Sequence, residues 1–221
     1  MDMDELIKQF EKQKVNTSLL GGQFNPKAAA YGFAALDAFN KNDFQTAISL
    51  FTKGLEFQPE NSGFYSRRAI CYRMINEFDL ALLDALTSIK IDSNFENNQT
   101  AALCKLFLKD YVKAIEFFEI SLEFLERDES IDQSNISNTD YKATKSRLLN
   151  NKAVCHYNLK QLDLAIECTS KGIIENPQYS NNYFIRGMIY LEISNKSKAI
   201  EDLKNASLYG DDRATNILKS F

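Results

Sequence analysis

The stretch RLLNNKAVCHYNL, Arg147 to Leu159, gathers the residues of this chain best equipped for chemistry. It holds the only histidine, His156, directly after Cys155, with Asn150 and Asn151 upstream. Three kinds of chemistry use such residues: a thiolate nucleophile with an imidazole base, a thiolate–imidazole metal centre, or a polar grip on a peptide end. Successive residues on a helix point about 100° apart, so Cys155 and His156 cannot pair as nucleophile and base through adjacency. No second histidine exists to complete a zinc site, and the H-E-x-x-H, G-x-x-x-x-G-K-[ST], G-x-S-x-G and Rossmann patterns are absent. The residues therefore point to no catalytic group, no metal and no cofactor.

What positions this stretch is a repeat. Five segments end in a common pattern around an alanine: DFQTAI (Ala47), EFDLALL (Ala81), DYVKAI (Ala114), QLDLAI (Ala165) and NKSKAI (Ala199). The steps between these alanines are 34, 33, 51 and 34 residues, the third being one period plus an insertion. Twelve residues before each lies a small residue (Ala35, Ala69, Ala102, Ala153, Gly187), and seven after lies another (Gly54, Ser88, Ser121, Gly172, Ala206). Pro59 and Pro177 follow the first and fourth units, where a proline ends a helix. The spacing predicts a helical hairpin in each unit, with small side chains where two helices approach closely. One hairpin cannot bury its own apolar face, so neighbours must stack.

Cys71, Cys104 and Cys155 each stand two residues after their own unit's first small residue. Three cysteines at one repeat position are expected to be packing residues, and hairpins about 10 Å apart keep the thiols from sharing an ion. His156 occupies the position of Tyr72 and Tyr190 and is read the same way.

The 34-residue period with its small–small–small–Pro framework resembles the tetratricopeptide repeat (TPR) over residues 28–209, although tyrosines 31, 65 and 183 replace the usual tryptophan. The resemblance implies an all-α, right-handed superhelical solenoid of about five TPR hairpins, with an N-terminal helix and a C-terminal capping helix. The expected organisation is 1–27, an amphipathic helix and connection; 28–127, repeats one to three; 128–139, a polar insert; 140–209, repeats four and five; and 210–221, the cap. Asn25 before Pro26 is an N-cap signal, and Asp211 or Asp212 is another.

The resemblance also implies function: a non-enzymatic adaptor or scaffold that binds a partner peptide or helix on the concave face lined by the first helices. Projected onto that face are Phe33, Leu36 and Phe39; Arg67, Ile70 and Arg73; Leu103 and Leu106; Asn150, Asn151, Val154 and Tyr157; and Phe184, Ile185 and Met188. This apolar ladder with two early arginines suits a segment with hydrophobic anchors and an acidic group. The competing reading is that the ladder is inter-helix packing, or is covered by the N-terminal helix. LLNNKAVCHYNLKQLDLAI further resembles the middle repeat of the co-chaperone TPR subclass, which grips a C-terminal carboxylate, with Asn151 in its asparagine slot. The flanking slots hold Gln99, Leu103, Asn181 and Ile185 in place of the required Lys, Asn, Lys and Arg, so that clamp is incomplete. A chaperone-associated co-factor and a subunit of a larger assembly remain the alternative functions.

A net charge of −4 and a pI near 5.2 argue against a phosphate-neutralising nucleic-acid binder. No apolar run approaches the about 18 residues of a membrane span, and the acidic start MDMDELIKQF is unlike a secretory signal. The partners expected are proteins or peptides, without nucleic acid or membrane insertion, in the cytoplasm; the oligomeric state is open.

Overall fold

The computed structural model describes residues 2–12, 25–127 and 138–221, and all regular structure within them is α-helical. The N-terminal helix is α1 (Met3–Lys12). First helices of the repeats are α2 (Pro26–Asn40), α4 (Ser62–Met74), α6 (Phe95–Phe107), α8 (Asn138–Asn158) and α10 (Ser180–Glu192). Second helices are α3 (Phe44–Phe57), α5 (Phe78–Ile91), α7 (Tyr111–Arg127), α9 (Leu162–Glu175) and α11 (Lys196–Leu208), and α12 (Asp212–Leu218) closes the chain. The chain divides into two compact units, Met1–Leu108 and Lys109–Phe221. Asn138 and Thr139, the last residues of the expected insert, already belong to α8; the rest of that insert and the connection NTSLLGGQ lie outside the described residues.

The hairpin turns share one backbone device. Asn42, Asn76, Lys109, Lys160 and Ser194 all adopt left-handed φ values of 59–64°. The following N–H then reaches back across the turn, as from Asp43 to the Ala38 carbonyl (2.9 Å) and from Asn195 to that of Tyr190 (2.8 Å). This satisfies carbonyls that a helix end would leave bare. Starts are capped too: the Asn25 side chain accepts from the N–H groups of Lys27 and Ala28, ahead of Pro26, and Asp43 accepts from that of Thr46.

The small residues at fixed spacing have a concrete cause. In the first unit the Phe64 ring is wedged between Gly32 on α2 and Gly54 on α3; a Cβ on either would lie 2.6 or 2.7 Å from it. Phe64 thereby reaches the core of Ala35, Ala38, Ala47, Phe51 and Cys71. In the second unit Gly172 makes the same room for Asn182.

A second device appears in both units. Arg68 of α4 makes a bidentate pair with Asp84 of α5 (2.7 and 2.8 Å) and donates a third bond to Thr52 of α3. Arg186 of α10 does the same with Asp202 of α11 and Ser170 of α9 (2.8 Å each). Each arginine ties the two helices of its hairpin together and to the preceding one.

Candidate partner-binding faces

Cys155 and His156 are both buried, and each serves the packing. Burial pushes the thiols of Cys71 and Cys104 up to about 11 and that of Cys155 up to about 12, which keeps them protonated near neutral pH. His156 Nδ1 lies 2.7 Å from Gln161 Oε1, holding the α8–α9 turn. Among the described residues no His, Cys, Asp and Glu side chains gather into a metal-binding group.

Asn150 differs from expectation. It is 5 % exposed, and its amide donates to Asn182 Oδ1 (3.1 Å). Asn182 in turn donates to Ser146 Oγ, and Ser146 donates to the Gly172 carbonyl (2.8 Å each). This chain of bonds lies at the α8–α9–α10 junction, because a buried amide must be satisfied internally. Asn150 is thus consumed by the fold, whereas its neighbour Asn151 is half-buried.

On the first unit, Leu36 (40 %) is exposed, and Ile70, Leu103 and Leu106 are half-buried. Phe33 is 52 % exposed, yet its ring meets Phe10 of α1 at 6.2 Å, so the N-terminal helix covers part of this predicted position. Phe39 is drawn inward, edge-on to Phe44 at 5.8 Å and against the core. Arg67 stands 3.9 Å from Glu96, a loose, half-exposed pair. Arg73 differs: its Nε is shielded from solvent and has no hydrogen-bond partner, while its charge acts on the Cys104 thiol of α6.

On the second unit, Tyr157 joins a small cluster. Its hydroxyl bonds Glu192, which is also paired with Lys160 at 2.8 Å, and the Lys160 ammonium lies over the Tyr157 ring. Phe184 packs on the terminal core beneath the Arg213 guanidinium, 4.0 Å from the ring centre. Val154, Ile185 and Met188 are half-buried. A cavity of about 470 Å³ opens between α7, α8 and α9, but its charges are mutually satisfied. Lys145 bonds Glu126 and Glu175 at 3.1 Å each, and Lys152 bonds Glu119 at 2.8 Å.

No protein-family profile matches the chain. Over 86 residues it is 34 % identical to the human Protein SGT1 homolog, covering 37 % of this chain and 23 % of that protein. Over 90 residues it is 34 % identical to Stress-induced-phosphoprotein 1 of Caenorhabditis elegans, covering 40 % and 28 %. The chain thus spans about a quarter of these curated relatives. Among solved structures, a MamA double mutant superposes with a TM-score of 0.72 at 13 % identity, over 87 % of this chain and 98 % of that one. YrrB, described as a TPR protein with an unusual peptide-binding site, superposes with a TM-score of 0.71 at 15 % identity, over 100 % and 99 %. The chain is built of tetratricopeptide repeats.

Within the TPR frame, the staple arginines occupy one repeat position, and the sequence reading missed Arg68 entirely. Its signal was available: Arg68/Asp84 and Arg186/Asp202 share a 16-residue spacing. Arg186, one residue beyond the clamp slot, turns to Asp202 instead of presenting a free cation. Asn181, which fills another clamp slot, accepts from Arg213 of the cap. No helix among the described residues is long and apolar enough to cross a membrane.

Proposed function

We propose that this TPR chain is a non-enzymatic adaptor that holds a segment of a partner protein against the first-helix face of its N-terminal unit. The supporting observation is Arg73. Its Nε–H is shielded and unpaired, on the same helix as Ile70 and close to Cys104, the neighbour of Leu103. An unmet buried donor costs about 1–3 kcal/mol, more when charged, and a carboxylate is the ligand that best relieves it. The partner is therefore an acidic residue flanked by apolar anchors, the anchors meeting Leu36, Ile70, Leu103 and Leu106. That YrrB is described as having a peptide-binding site adds support by analogy of fold.

The test is peptide display against the immobilised full chain, followed by titration of the enriched peptides. Acidic–apolar sequences should be enriched. The triple variant Arg67→Glu, Arg73→Glu, Leu103→Asp should weaken them about tenfold or more. Equal binding to the parent and the variant would sink the reading.

A chaperone-associated role is the second reading, favoured by the likeness to Stress-induced-phosphoprotein 1 and by Asn151 in its slot. It requires binding of an acidic peptide with a free C-terminal carboxylate, and weaker binding of the amidated peptide. No binding at low salt disposes of it.

A further inference from the structure

The outer surface of α5 breaks the pattern of its sister helices. Its solvent positions carry Leu80, Leu83 and Leu86, exposed by 44 %, 62 % and 41 %. At the same repeat positions α7 carries Lys113, Glu116 and Glu119, and α11 carries Lys198, Glu201 and Lys204, all exposed. On α3 these positions hold only threonine and serine, and α9 shares only the first leucine, Leu164, which is followed by Glu167 and Ser170. Leu83 above all gains little from folding this hairpin, whose own core is supplied by Ala81, Ala85 and Ser88 on the opposite side.

The stripe is also symmetric. Asp79, Leu83, Leu86 and Lys90 follow one another at spacings of four, three and four, which places them on a single line along the helix. All four are exposed, and Asp79 and Lys90 have no side-chain partner within the described residues. The pairs Leu83/Leu86 and Asp79/Lys90 share one midpoint, between Asp84 and Ala85. Turning a second copy of α5 end for end about that point sets Leu83 against Leu86 of the other copy. It also sets each Asp79 against the other copy's Lys90, the two such pairs lying about 16 Å apart along the seam. The negative charge lies at the N-terminal end and the positive at the C-terminal end, so a parallel pair would oppose like charges and only the antiparallel pair is complementary.

We infer that this chain self-associates through an antiparallel α5–α5 seam, with Leu83 and Leu86 as the buried centre and Asp79–Lys90 pairs at both ends. One helix face buries less than the roughly 1,200–2,000 Å² of a standard interface, so the dimer is weak and concentration-dependent. The surface is distinct from the first-helix positions of the proposed partner site, so a chain dimerised in this way displays two copies of that site.

Sedimentation equilibrium of the full chain over a wide concentration range tests this. The average mass should climb from 25.2 kDa towards twice that value as concentration rises. Leu83→Glu should raise the dissociation constant by at least about tenfold without changing the helical circular dichroism, since the side chain is mostly solvated. Asp79→Lys and Lys90→Asp should each weaken the dimer, whereas Asp79→Lys with Lys90→Asp should bring it back to within about twofold of the parent. A chain that remains monomeric at every concentration, a dimer indifferent to Leu83→Glu, or a charge swap that fails to restore association would each overturn the proposal.

Discussion

At the scale of single residues, the Cys155–His156 pair shows how packing can imitate chemistry. Both side chains fill fixed repeat positions, and the polarity nearby belongs to a buried relay from Asn150 through Asn182 and Ser146 to the Gly172 carbonyl. Gly172 is the tightest point of that relay, because a Cβ there would sit 2.5 Å from Asn182 Nδ2. Gly172→Ala should therefore destabilise the chain by about 1–2 kcal/mol, overpacking outweighing the helix propensity that alanine gains. Urea denaturation measures it, and a midpoint that rises instead would show that Asn182 moves aside freely. The relay was not legible in the sequence. Asn150, Asn182 and Ser146 are 4 to 36 residues apart, and only the stacking of α10 on α8 brings them together. Asn150 and Asn151 looked alike on paper, but their directions differ by one helical step, and that step separates a buried amide from a half-buried one.

At the scale of elements, far more was legible, because it rests on local rules. The period and the Asn25 cap act within one hairpin, and the small residues act within it or against the next, so the helices could be placed from the sequence. The cap helix uses only part of its apolar side. Ala214, Ile217 and Leu218 meet the terminal core, whereas Phe221 is 56 % exposed. Its start is fixed by Asp211, whose side chain accepts from the N–H groups of Arg213 and Ala214. The Arg213 guanidinium, helped by the Ala214 N–H and opposed by burial, holds this carboxyl below its ordinary range. A depressed folded pKa gives stability that is present above the unfolded value of about 3.9 and lost as pH falls through the folded one. Hydrogen exchange of α12 amides should accordingly speed up below about pH 4 beyond the intrinsic rate. Asp211→Asn, which keeps a capping oxygen but not the charge, should flatten that dependence. Parallel profiles for the parent and the variant would mean that another group controls the cap.

At the scale of the whole molecule, the hairpins within each compact unit touch mainly their neighbours, so stability should be a sum of local terms and not one indivisible quantity. The C-terminal end offers the cleanest case. The terminal core consists of Tyr183, Leu203, Ala206 and Ala214, and Arg213 lies over Phe184 while bonding Asn181. Deleting residues 212–221 removes Ala214, Ile217, Leu218 and Arg213 together, exposing one face of α10 and α11 to water. Nothing in the core around Phe51 and Phe64, on α3 and α4, involves those residues. Exchange protection in α10 and α11 should then fall by an order of magnitude or more, about 1.4 kcal/mol per factor of ten. Protection in α2 to α5 should remain within about twofold of the parent. Exchange followed by mass spectrometry resolves the two regions separately. A uniform loss of protection from α2 to α11 would show that the repeats fold as a single cooperative block, and would remove the basis for assigning binding and self-association to separate hairpins.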